Sequence, residues 1–190
     1  MADDLKSDGV RLPADFDFKI PDADDRERLV CKRCTWIHYV NPRIVVGSVC
    51  EWQGLILMCR RNIEPRRGFW TIPAGFLEEQ ESAEHGARRE AREEACADIE
   101  IDRLLAIYSI PRISQVQLMY RARLKSPDVA AGPESQEVAL VAPKDIPWAE
   151  LAFPSVTWVL RHHAAVRGKA DFPPFSNPED DTGDVLPGEK

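Results

Sequence analysis

Glu90, Glu93 and Glu94 sit three and four residues apart in the segment ARREAREEACA, so a helix would carry all three carboxylates on one face. Stacked like charges cost an exposed helix about 0.2–0.5 kcal/mol per pair, and more where the site is partly buried. A hard divalent cation such as Mg²⁺ or Mn²⁺ would remove that cost, because it prefers several carboxylate oxygens. The plainer reading is a solvated acidic face relieved by Arg88, Arg89 and Arg92. The residues upstream decide between the two readings.

Positioning these side chains requires a helix, and residues 83–95 have the marks of one. Ser82 can cap it, and Glu84 suits the positive end of the helix dipole. Ala83, Ala87, Ala91 and Ala95 recur every four residues, a narrow stripe that lets the helix lie close to a sheet. Before it, RIVVGSVCEW and LILMCRR flank a Gln53-Gly54 turn and read as a hairpin. FWTIPAGF (69–76) reads as a short strand that passes into a loop through Pro73 and Gly75. After it, 99–110 and 115–124 read as long strands and 137–143 as a short one. Residues 155–167 have a helical face of Val156, Val159, Leu160 and Ala164. The sum is a mixed-sheet α/β (α+β) domain.

The chain upstream of the glutamates follows a longer pattern: Gly75, five residues, Glu81, seven residues, then Arg89-Glu90, Ala91, Glu93-Glu94 and Ala97. This resembles the Nudix box, G-x5-E-x7-R-E-U-x-E-E-x-G-U with U apolar, across all 23 residues from Gly75 to Ala97. The one departure is Cys96 in the glycine position, which closes the helix C-terminus and so bears on loop geometry. The resemblance implies a Nudix fold, a mixed β-sheet sandwiched between helices, with a small N-terminal ribbon-like segment. It also implies site roles by position. Glu93 and Glu94 would be principal metal ligands. Glu90 would be a further ligand or the general base, and the Ala74 or Gly75 carbonyl would also touch metal. Gly75, Glu81 and Arg89 would be structural, with Glu81 and Arg89 an ion pair that positions loop and helix. Glu137, in GPESQEV, is an alternative base, and Glu134 a substrate-binding residue. Arg60 and Arg61 would contact phosphates, and Trp70, Phe76 and Tyr108 are candidates to stack a nucleobase or flavin.

The reaction implied is Mg²⁺- or Mn²⁺-dependent hydrolysis of the pyrophosphate bond of a nucleoside diphosphate linked to another moiety. IHYVNPRIVVGSVCEW, RRNIEPRRGFWTIPAGF and DIPWAELAF resemble a subgroup that carries a zinc-ribbon-like N-terminus and acts on ADP-ribose or FAD, releasing AMP. The SQPWPFPxS signature of the NADH branch is reduced here to Ser114-Gln115, and Pro111 lies where ADP-ribose hydrolases often carry proline. NADH, nucleoside triphosphates and capped RNA are alternative substrates. A nucleotide-sensing module without turnover is the rival of another class, but such modules usually lose box glutamates that this chain keeps.

Composition bounds the partners. The 190 residues carry a net charge of −7, which argues against a nucleic-acid-binding surface. No apolar run approaches a membrane span, and the N-terminus lacks the pattern of a signal or transit peptide. Five scattered cysteines suit a reducing compartment, so a cytoplasmic protein is expected. The family resemblance adds a homodimer. Cys31 and Cys34 form half a zinc ribbon, with no upstream partner pair, so Zn²⁺ is not expected and packing of Trp36 and Tyr39 would hold the segment. The expected organisation is an N-terminal segment over 1–42, a Nudix domain over 43–168 and a disordered tail over 169–190.

Overall fold

The computed structural model describes residues 15–183. The chain divides between Asn41 and Pro42 into two compact units. In the first, β1 (Phe16–Lys19), β2 (Arg28–Cys31) and β3 (Ile37–His38) make an antiparallel sheet in that order. The Cys31–Cys34 turn is a knuckle: backbone N–H groups of Cys34 and Arg33 point at the Cys31 sulfur and hold its thiol below the usual range. The Trp36 ring lies tilted beside His38 at 5.5 Å. Among the described residues of this unit, no three His, Cys, Asp or Glu side chains gather as a metal site.

The second unit is built on a mixed sheet. Its strands are β4 (Arg43–Trp52), β5 (Leu55–Arg61), β6 (Trp70–Thr71), β7 (Ala74–Phe76), β8 (Ile99–Ile110), β9 (Gln115–Leu124) and β10 (Ser135–Val141). The spatial order is β10-β5-β4-β9-β8, with β6 on β5 and β7 on β4. Among these strand pairs only β4 and β9 run parallel, and the connection between them contains helix α1 (Ala83–Ala95). Successive β4 residues face opposite ways, as a pleated strand requires. Cys50 packs with Ala91 and Ala95 of α1, while Val49 packs with Val156, Val159 and Leu160 of α2 (Pro154–Ala165). The sheet is therefore sandwiched between helices, as the family resemblance implies.

The alanine stripe does what its spacing predicts. Ala87, Ala91 and Ala95 are fully buried, so the helix backbone approaches the sheet closely. Gly86 extends the stripe: a Cβ there would lie 2.8 Å from both Val46 Cγ2 and a Glu81 oxygen.

The last segment corrects the expectation of a disordered tail over residues 169–183. Phe175 bonds to β8 through both its N–H, to Leu105 O, and its C=O, from Ile107 N–H, each at 2.9 Å. Its ring stacks on His162 at 4.2 Å, and Trp158 donates to Asp181 at 3.0 Å. The Pro-, Gly- and Asp-rich composition hides these few anchors, whose partners lie far away in sequence. Residues 184–190 of that expectation fall outside the described residues.

Candidate active site

Chain order puts Ser82 at the N-cap of α1, where its side chain accepts from His85 N–H at 3.2 Å. At the other end Cys96 takes the left-handed conformation, φ 51°, with Cys96 N–H on Arg92 O and Ala97 N–H on Ala91 O. The cysteine thus fills a position that favours glycine and closes the helix in the same way. The loop after β9 covers the remaining helix carbonyls: Gly132 N–H donates to Glu94 O and Ala130 N–H to Ala95 O, each at 3.0 Å. Gly132 is needed for that approach, since a Cβ would lie 1.7 Å from Glu93 O. Nothing in the local sequence marks this residue, because its hydrogen-bond partner Glu94 is 38 positions away.

Arg89 organises the site. Its Nε and Nη2 make a fork onto Glu81 at 3.0 Å each, and Nη2 also donates to Phe76 O at 2.9 Å. Its Nη1 bridges Glu90 Oε1 at 2.6 Å and Glu93 Oε2 at 2.9 Å. Glu81 further accepts from Glu78 N–H and contacts His85 Nδ1. These bonds, the Arg89 guanidinium foremost, pull the Glu81 carboxyl down to about 2. One guanidinium therefore ties the start of the loop, the helix and two of the three clustered glutamates together.

The glutamates differ in environment. Glu93 is exposed, whereas Glu90 and Glu94 are 7% and 6% accessible. Burial raises the Glu90 carboxyl against the opposing pull of Arg89. Glu94 is pushed up to about 8, first by burial and then by the neighbouring Glu90 charge. Ala74 N–H donates to the Glu94 carboxylate, but Glu94 Oε2 is buried with no hydrogen-bond partner. A buried, unpartnered carboxylate oxygen beside a second carboxylate is a costly arrangement without a counter-charge. An all-oxygen donor set of this kind fits Mg²⁺ or Mn²⁺.

The structure brings several other predicted residues to this cluster. Glu90 fills the space above Gly75, and Ala74 meets Glu94. The charge of Glu134 is felt at Glu90, Glu94 and Arg61. Burial lowers the Arg61 guanidinium while Glu94 and Glu134 oppose that shift, and the group lies over the Phe153 ring at 5.1 Å. Arg60 and Glu137 instead face each other across β5 and β10, 3.6 Å apart. Phe76 is 45% exposed under the Arg43 guanidinium. Tyr108 is buried in the core with its hydroxyl 2.7 Å from His162 Nδ1, so it cannot stack on a substrate. Cys50 is likewise in the core, and burial pushes its thiol up to about 12.

A mixed sheet between two helices, with an arginine-clamped glutamate face opposite a glycine turn, defines a Nudix domain. The NUDIX domain family matches residues 41–159 and the Nudix N-terminal family matches residues 14–40, so the chain belongs to the Nudix family and is a Nudix hydrolase. A NUDIX hydrolase from Nitrosomonas europaea superposes with a TM-score of 0.80 at 39% identity, covering 91% of this chain and 97% of its own. An ADP-ribose pyrophosphatase of Methanocaldococcus jannaschii is 27% identical over 119 residues, which are 60% of this chain and 69% of that protein. The NAD-capped RNA hydrolase NudC of Photobacterium profundum is 28% identical over 68% of this chain, but only 46% of its own length is covered.

Proposed function

We propose that this Nudix hydrolase cleaves the pyrophosphate bond of ADP-ribose, with FAD as the second substrate, and releases AMP. The observation that carries the proposal is Glu94 Oε2, buried and unpartnered between Ala74 and Glu90 in a cluster made only of oxygen donors. Glu90, Glu93, Glu94 and the Ala74 carbonyl would hold Mg²⁺ or Mn²⁺. When bound, the ion supplies charge neutralisation for the pyrophosphate.

The chain's own groups do the rest. Arg89 orients Glu90 and Glu93 from its fixed seat on Glu81. Arg61 offers a half-buried guanidinium to a phosphate, and exposed Phe76 offers a face to the base. A water oxygen adds to phosphorus, a P–O bond to the bridging oxygen breaks, and a glutamate takes the water's proton. Glu90, in the box, and Glu137, in β10, are the two bases that the family resemblance offers. Glu134 is the loop carboxylate whose charge reaches Glu90 and Glu94.

The relative named ADP-ribose pyrophosphatase supports ADP-ribose. The acidic chain and the lack of an NADH-branch signature speak against capped RNA and NADH. The proposal includes a cytoplasmic homodimer and an N-terminal sheet held by packing without zinc. Turnover of ADP-ribose, FAD, NADH and nucleoside triphosphates with Mg²⁺, with products identified, is the test. AMP and ribose 5-phosphate from ADP-ribose are expected; binding without turnover would overturn the reading. About one zinc per chain in protein purified without chelator would overturn the zinc-free sheet.

A further inference from the structure

A second site lies where β4 and β9 end, beside the turn that follows α2. A cavity of about 650 Å³ opens there, and none of Ala74, Gly75, Glu90, Glu93 or Glu94 lines it. Along β4, Val46 pairs with Gly75, while Glu51 lines this cavity about 16 Å further on.

The charge of its walls is opposite to that of the chain. Arg121, Arg123, Arg167 and Lys169 face only two carboxylates, Glu51 and Asp102, in a protein of net charge −7. Arg121 takes Asp102 as its ion-pair partner. Glu51 faces His163 Nε2 at 3.6 Å. Arg123 is in register with Glu51 and Glu100 but pairs with neither, and Arg167 and Lys169 also have no ion pair among the described residues.

The backbone that carries Arg167 and Lys169 is held in place by Arg121. Arg121 Nη1 donates to Lys169 O at 2.9 Å and to Val166 O at 3.4 Å, which fixes the turn. Gly168, φ +76°, allows the chain to reverse between Arg167 and Lys169. Arg167 packs on the β4–β5 hairpin, where a Cβ on Gly54 would lie 2.8 Å from its Nη2. A smaller recess of about 130 Å³ shares Glu51, His163 and Arg167 with the cavity and is walled by Ile56, Pro143, Ile146 and Leu160.

We infer that this cavity binds a phosphomonoester of nucleotide size. The dianionic phosphate sits on Arg123, Arg167 and Lys169, where guanidinium forks match its terminal oxygens. The body of the ligand fills the cavity and its apolar part enters the recess. The volume lies within the range of roughly 300–1,000 Å³ usual for small-molecule sites. The inference rests on these walls and is independent of which substrate the glutamate site cleaves.

The test is an amide NMR titration of the full-length, metal-free protein with AMP, and with adenosine as the uncharged control. Saturable shifts at 51–54, 121–123 and 166–170 are expected with AMP and not with adenosine. Arg167→Gln combined with Lys169→Gln should weaken AMP binding about tenfold or more, and Arg123→Gln alone should act in the same direction. All three side chains are exposed, so the variants keep the wild-type spectrum elsewhere. AMP shifts confined to 74–94, equal shifts from adenosine, or wild-type affinity in the double variant would each overturn the inference.

Discussion

A Cβ placed on Gly75 would lie 2.4 Å from both carboxylate oxygens of Glu90. The glycine that opens the box pattern is thus the seat of one of its glutamates. The turn and the helix face are built as one unit. Gly75→Ala must push Glu90 out of its place, at a cost of about 1–3 kcal/mol by overpacking. A drop in unfolding free energy and in turnover is expected; an unchanged variant would show that Glu90 moves freely.

Arg89→Lys keeps the charge and loses the fork. One ammonium cannot serve Glu81, Glu90, Glu93 and the Phe76 carbonyl together. Denaturant unfolding should show a loss of about 1–3 kcal/mol. Wild-type stability in this variant would remove Arg89 as the organiser.

Glu94→Gln replaces a buried carboxylate by a neutral amide of nearly the same shape. Metal-free protein at pH 8 should melt at a higher temperature than wild type, because the carboxylate there lacks a partner for Oε2. Mg²⁺ should raise the melting temperature of wild type but not of the variant. A Mg²⁺ shift that survives in Glu94→Gln would take this residue out of the ligand set.

Cys96→Gly relieves a left-handed backbone at the helix end, φ 51°. A gain of about 1 kcal/mol is expected, with turnover unchanged. A loss of stability would mean that the exposed thiol makes a contact worth more than the strain.

Acid should act in two windows. Burial lowers His162 and His163 below their ordinary 6.5, so the folded state disfavours their protons. As pH falls below 6.5 the unfolded chain binds those protons first, and stability declines until the folded groups titrate too. Glu81 acts lower. Its contribution is whole above the ordinary 4.5 and is lost as pH falls towards about 2. Glu94, raised to about 8, and the raised Glu90 act the opposite way and gain stability as pH falls towards 4.5. The histidine decline is therefore read from the His163→Gln variant. Relative to wild type, its melting temperature should rise as pH falls from 7 to 5, and a constant difference over that range would contradict it.

Local pattern carried much of this protein. The spacing of Glu81, Arg89, Glu90, Glu93 and Glu94, the alanine stripe and the alternation in the long strands follow from helix and strand periods, which act over a few residues. They make the helix, the hairpin, the long strands and the box legible in the sequence. Tertiary structure decided what depends on distant neighbours. It buried Glu90 and Glu94 while leaving Glu93 exposed, and it turned Tyr108 into core. It set Gly132 against the end of α1, paired Glu137 with Arg60, and anchored Phe175 along β8. It also assembled three unpaired cations from β9 and the turn after α2. Burial, desolvation and charge pairing are sums over everything packed around a side chain, and no short window of sequence contains them.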